Sequence, residues 1–244
     1  MASTKHEFAI FCPGLTEHTK AGGLIINDKN VINRIAHILR LGVDDTLMLF
    51  DEQFHSHVSI ESISKKEVAF KVLNMVENMR LKPRIQVVLP LLKKEAFEQA
   101  IYNITELGGS EIQLLETEKM QRKWGGDKEL DRIKRITIAA AEQSKNFMMP
   151  TIHAPTALQK LLAHKEGRYL FCDVDGDPIY KVFDEGSIKK DELITVFVGP
   201  EGDFSHEEKQ LLNNSGVQFY RLTPTVLRSV QAISLALGYL RCLD

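Results

Sequence analysis

A chain of 244 residues, 43% hydrophobic and 26% charged, has the make-up of a globular protein; this excludes a disordered chain and admits one large domain or two modest ones. No apolar run reaches the roughly 18 residues of a membrane span, and a net charge of −2 excludes RNA binding through bulk positive charge, so an RNA partner requires a local basic patch. Cys12, Cys172 and Cys242 are far apart and odd in number, which excludes a disulfide framework and a zinc ribbon, and reduced thiols are expected. The opening stretch Met1–Glu7 is polar with no apolar signal core behind it, so a cytoplasmic location is expected. His55 and His57 would share one face of a strand, but no third ligand lies nearby in sequence, and no metal site is expected.

The segment up to Met79 reads as short strands: Thr46–Phe50, His57–Ile60 and Val68–Leu73 are β-rich runs separated by polar breaks. One helix interrupts them, because Ile32, Ile35, Ala36 and Leu39 recur at helical spacing between Lys29 and Leu39. A small β-barrel over residues 1–79 is expected, an architecture that often binds nucleic acid. Arg80–Pro83 reads as a linker, after which strand and helix alternate. Strands are predicted at Ile85–Leu89, Glu111–Leu115, Tyr169–Cys172, Leu193–Val198 and Gln218–Leu222. Helices are predicted at Lys93–Leu107, Asp127–Lys145, Ala157–His164, Ser205–Asn213 and Val226–Leu240. Such alternation implies an α/β domain over residues 80–244, with a mostly parallel sheet covered by helices, and ligands binding at the carboxyl ends of its strands.

Four constellations stand out. The strand ending at Val198 runs into Gly199-Pro200-Glu201-Gly202, and Ser205 with Glu208 then forms a capping box that opens a helix. This is a loop where a cofactor would sit, and equally a plain strand-to-helix turn; it lacks the Gly-Lys-Ser/Thr of a phosphate loop. The strand ending at Leu222 likewise turns through Pro224 into a helix with Arg228 at or near its first turn. A cation there opposes the helix dipole, so Arg228 either grips an anion or answers an acidic neighbour. Ala139–Ser144 puts small residues and the polar pair Glu142-Gln143 in a close helix contact, structural or otherwise. Finally Lys93, Lys94, Lys119, Arg122, Lys123, Arg132, Lys134 and Arg135 surround Trp124, a patch suited to nucleic acid or simply a solvated face.

These motifs together resemble the RsmE family of 16S ribosomal RNA uridine-N3 methyltransferases, within the SPOUT superfamily. The carriers, in the family's order, are Ile38–Gly42 with Leu47–Asp51, Thr105–Gly108 with Ile112, Ile138–Ser144, Val198–Glu208 and Leu222–Arg228. The resemblance implies a PUA-like RNA-binding barrel at 1–79 and a SPOUT domain at 80–244 with a trefoil knot in a parallel sheet covered by helices on both faces. It implies a SAM-dependent enzyme that needs no metal, acts on 16S rRNA in the small ribosomal subunit, and forms a homodimer. SAM is then expected on three loops: the segment after Tyr169–Cys172, with Leu170 and Cys172; Val198, Gly199, Pro200, Glu201 and Gly202; and Leu222, Pro224, Leu227, Arg228 and Ser229. Arg228 and Glu201 are the expected catalytic residues, and Arg40, Lys93, Lys94, Arg122 and Lys123 the expected RNA contacts. The chain departs from the family pattern at Asp203, where a second glycine is usual, at Thr223-Pro224-Thr225, and at Val230 and Gln231, where a carboxylate and a hydroxyl are usual. A SPOUT methyltransferase with another RNA target, or a non-catalytic SAM- and RNA-binding relative, is the alternative that these departures leave open.

Overall fold

The computed structural model describes residues 7–20, 23–120, 122–184, 189 and 191–242; most of the polar opening stretch Met1–Glu7 lies outside them. The chain divides into two units, one of Met1–Met79 with Ala141–Met148, the other of Arg80–Ala140 with Met149–Asp244.

In the first unit, strands β1 (Ala9–Phe11), β2 (Thr19–Lys20), β3 (Gly23–Ile26), β4 (Thr46–Phe50), β5 (Phe54–Ile63) and β6 (Val68–Glu77) form one sheet in the order β1-β4-β5-β6-β3-β2. β1 runs parallel to β4 and the other neighbours are antiparallel. Alternation along the strands decides the core. Leu47 and Leu49, Val58 and Ile60, and Val68 and Phe70 point inward and pack with Leu24 and Ile26. Helix α1 (Lys29–Asn33), capped by the Asp28 carboxylate on the N–H groups of Asn30 and Val31, continues as a π-helical turn over Arg34–Ile38. The expected single helix is therefore two geometries in series, and Val31, Ile32 and Ile35 close the core.

The second unit is an α/β layer structure. Strands β7 (Arg84–Pro90), β8 (Glu111–Glu116), β9 (Thr151–Ala157), β10 (Arg168–Pro178), β11 (Leu193–Val198) and β12 (Gln218–Arg221) lie in the order β12-β10-β11-β7-β8-β9, all parallel. The helices are α2 (Lys94–Glu106), α3 (Asp127–Ser144), α4 (Leu158–Ala163), α5 (Lys181–Asp184), α6 (His206–Asn214) and α7 (Ser229–Arg241). Neighbouring strand residues serve opposite faces. Val87, Leu114, Leu170, Val196 and Val198 pack against Phe97, Ile101 and Ile104 of α2, Ile133 of α3 and Ile233 and Leu237 of α7. Val88, Leu115, Tyr169, Phe171 and Phe197 pack instead against Leu158 of α4 and Leu212 of α6. Helices thus cover both faces, and runs buried on both sides are what an all-parallel sheet requires.

Three local features differ from the sequence-based reading. β9 escaped it because its residues are half-exposed without alternation; it is an edge strand that carries Pro155, a position where proline is tolerated. β10 runs on to Pro178, with a register shift against β12 between Cys172 and Asp177 that loops 173–176 outward. Gly176 permits the return to β12, since a Cβ there would lie 2.5 Å from the backbone nitrogen of Tyr220. The last helix starts at Ser229 rather than Val226, because Arg228 is extended (φ −67°, ψ 152°) as its N-cap. No helix among the described residues is long and apolar enough to cross a membrane.

Candidate active site

The outward bulge toward the carboxyl end of β10 and the loops that leave β11 and β12 converge on a cleft of about 940 Å³. Its walls are Cys172–Asp175, Val198–Glu201 with Asp203, and residues 222–223 and 225–232; α2 contributes Ala96 and Gln99, and Lys93 precedes it. The volume is that of a small-molecule site, and the position is where ligands bind in parallel α/β sheets.

Specific bonds hold the loops. The buried Ser229 hydroxyl donates to the Gly199 carbonyl at 2.6 Å, joining the second loop to the start of α7. Glu201 reaches across to accept the Lys93 backbone N–H at 3.2 Å, a carboxylate at the start of α2 where the helix dipole favours it. Lys119 donates to the carbonyls of Gly202 and Phe204 at 3.4 and 3.3 Å. The capping box forms as expected: Ser205 Oγ accepts the Glu208 N–H at 3.1 Å, and Glu208 Oε2 accepts the Ser205 N–H at 2.8 Å. The other Glu208 oxygen accepts from the backbone of Glu118.

Arg228 is exposed on the cleft wall, caps no helix N–H with its side chain, and has no acidic partner among the described residues. An acidic neighbour therefore does not account for it, and it is available to an anion. The Cys172 thiol is pushed up to about 12, by burial first and the neighbouring Asp173 carboxylate second, so it stays neutral and is no nucleophile.

The structure brings Cys172, Val198, Gly199, Pro200, Glu201, Leu222, Leu227, Arg228 and Ser229 together on the cleft. Leu170 is not among them: it is 1% exposed and faces the core under α2 and α7. Gly202 and Pro224 are exposed in the same loops beside the lining. Of the expected RNA contacts, Arg40 is exposed with φ +54°, and Lys93, Lys94 and Lys123 are exposed. Arg122 is half-buried, with its Nη2 without a hydrogen-bond partner among the described residues. The rest of its guanidinium is held by Glu129 at 2.6 Å and the Leu92 carbonyl, and lies 4.4 Å from the centre of the Phe97 ring. Arg132 is likewise paired with Glu98. Glu142 plays a structural part: both its oxygens accept from Arg34, at 2.7 and 2.6 Å, and one also accepts the Phe11 N–H. Sequence reasoning missed Lys209 as a cleft residue; Asp173 and Asp175 lie in the segment after Cys172 expected to carry SAM but were not singled out in it. The only signal was two aspartates flanking Val174 at a strand end.

Comparison with known proteins agrees with this geometry. Residues 80–241 match the RNA methyltransferase domain family. The ribosomal RNA small subunit methyltransferase E of Rickettsia conorii is 24% identical over 216 residues, covering 87% of this chain and 86% of that protein. A methyltransferase from Legionella pneumophila, solved with bound SAM, superposes with a TM-score of 0.82 at 24% identity over 98% of both chains. Ribosomal RNA small subunit methyltransferase E from Neisseria gonorrhoeae, bound to S-adenosyl methionine, gives 0.81 at 19% identity, again over 98% of both. The family match spans well over half of the sequence and contains every wall of the cleft, and on that ground the chain belongs to the RNA methyltransferase domain family.

Proposed function

We propose that this chain, like the small-subunit methyltransferase E proteins it resembles, transfers a methyl group from SAM to N3 of a uridine in 16S ribosomal RNA, working in the cytoplasm as a homodimer. The observation that carries the reading is the cleft at the carboxyl ends of β10, β11 and β12, with the uncommitted Arg228 on its wall. The residues present fit the donor. Val198, Leu222, Leu227 and Ala232 offer an apolar wall for a purine ring, and Asp175 and Glu201 offer carboxylates to a sulfonium and an amino group. Gly199, Pro200 and Ser229 supply backbone and hydroxyl partners. Pro224, in the third loop, and Gly202, in the second, shape the walls from behind.

Bound SAM supplies an activated methyl on sulfur, and no metal is required. The protein's own task is alignment, together with loss of the proton that uridine N3 carries. Arg228 stabilises the negative charge that then spreads over the base oxygens, and Glu201, anchored on Lys93 N–H, orients base or donor or takes up the N3 proton. The target base must leave its stack to reach the cleft. In this reading the first unit is a PUA-like barrel that docks RNA, and Arg40, Lys93, Lys94 and Lys123 contact phosphates. The second unit carries the trefoil knot of the SPOUT fold.

The test is incubation with methyl-labelled SAM and small ribosomal subunits lacking their modifications, followed by digestion and identification of the labelled nucleoside. Labelled 3-methyluridine is expected. Another labelled nucleoside moves the target while keeping the chemistry; no label from a chain that binds SAM refutes transfer to the small subunit and leaves the binding relative or another RNA target.

A further inference from the structure

Lys209 on α6 lies between two of the cleft loops. Its ammonium is 2.8 Å from Oδ2 of Asp173, in the outward bulge of β10, and 2.7 Å from Oδ2 of Asp203, in the loop after β11. Each aspartate turns its other oxygen to its own backbone: Asp173 Oδ1 accepts the Asp175 N–H at 3.0 Å, and Asp203 Oδ1 accepts the Phe204 N–H at 2.8 Å. All three residues line the cleft. The Asp173 side chain is only 7% exposed, whereas that of Asp203 is 55% exposed. Asp203 also sits at φ +57°, in the left-handed region that favours glycine, although aspartate tolerates it better than most residues. A position suited to glycine thus carries a carboxylate, and that carboxylate meets a cation shared with the neighbouring loop.

We propose that Lys209 is a positioning residue for the methyl-donor cleft, a two-ended clamp that fixes the bulge of β10 against the loop after β11 through Asp173 and Asp203. The proposal rests on the reading of this cleft as the SAM site. Its physical reason is the buried carboxylate. Without Lys209, Asp173 stands unpaired and nearly out of water at the cleft wall, and a buried charge that loses its partner is strongly unfavourable, so the loop must move to hydrate it. Burial works against the ammonium, but the two carboxylates outweigh it and hold the Lys209 pKa above its ordinary value, so the clamp stays charged around neutral pH. Phe171, whose ring centre is 5.8 Å from the ammonium, lies beneath it.

The experiment measures SAM affinity by calorimetry, and kcat and KM for SAM on unmodified small subunits, for wild type, Lys209→Met, Lys209→Arg and Asp203→Asn. Lys209→Met is expected to weaken SAM binding at least tenfold, with the loss in KM rather than in kcat at saturating SAM. Lys209→Arg, which retains the two-ended contact, recovers most of the affinity. Asp203→Asn keeps the size and the left-handed tolerance and removes only one ion pair at an exposed position, so it folds whatever Lys209→Met does; its SAM affinity is expected to fall threefold or more. Undiminished affinity in Asp203→Asn, or a Lys209→Met enzyme that loses kcat at unchanged SAM affinity, overturns the clamp. Failure of the wild-type chain to bind SAM overturns the underlying reading instead.

Discussion

The Ser229 hydroxyl and the Arg228 guanidinium are adjacent in sequence yet do different work. Ser229 is buried and bonded to the Gly199 carbonyl at 2.6 Å. Ser229→Ala leaves that carbonyl without its partner and is expected to lower stability by about 1–2 kcal/mol, read as a shifted midpoint in urea with an unchanged slope; no shift would mean the bond does not join the loops. Arg228 contributes nothing comparable to the fold, since no carboxylate among the described residues engages it. Arg228→Ala is therefore expected to leave the urea midpoint nearly unchanged while cutting kcat on the order of a hundredfold, at a SAM affinity within a few-fold of wild type. Full turnover in that variant removes Arg228 from the chemistry. The sequence argument reached Arg228 because a cation at a helix start opposes the dipole. It could not reach Lys209, whose partners lie 36 residues back in one loop and six residues back in another.

Among the elements, α6 was the most legible, because its start is written locally: Ser205 and Glu208 are three apart, and both bonds of the capping box form. Ser205→Ala is expected to cost about 1 kcal/mol, measured by thermal or urea unfolding; a loss below a few tenths would show that Glu208, bonded also to the Glu118 N–H, holds the end alone. β9 was illegible for the opposite reason. It is an edge strand whose only paired neighbour is β8, so no alternation marks it. The π-helical turn after α1 is a third case: its apolar spacing suited a plain α-helix, and the departure appears only in the backbone hydrogen bonds.

At the scale of the whole molecule, acid stability is expected to depend on a buried carboxylate far along the strands from the cleft, paired with two more exposed cations. Glu111, near the start of β8, receives Arg84 from β7 and His153 from β9, the latter at 2.9 Å. Burial by itself raises the Glu111 pKa, but the hydrogen bonds from Arg84 and His153 outweigh it and hold it below its ordinary value. A depressed carboxylate stabilises the fold above its unfolded pKa, and that stability is lost as pH falls through the folded value. The wild type is therefore expected to lose stability as pH drops from about 5 toward about 3, and Glu111→Gln to start less stable at pH 7 and to lose less across that window. Parallel curves for the two proteins would rule out Glu111 as the acid-sensitive group.

Local sequence by itself determined what short-range physics controls. Hydrophobic period set the second unit's helices and buried strands, the Ser205–Glu208 spacing set the start of α6, and Gly199–Gly202 and Leu222–Arg228 marked two of the cleft loops, because turn and cap chemistry act within a few residues. Tertiary structure decided what depends on distant partners. It drew Arg122 into a packed pair with Glu129 and Phe97, put Leu170 in the core, and joined Arg34 to Glu142 across 108 residues of chain. It also set Lys209 between Asp173 and Asp203. Whether a charge is free for a ligand or committed to the fold is settled by which opposite charge the folded chain brings within about 3 Å, and no local pattern encodes that distance.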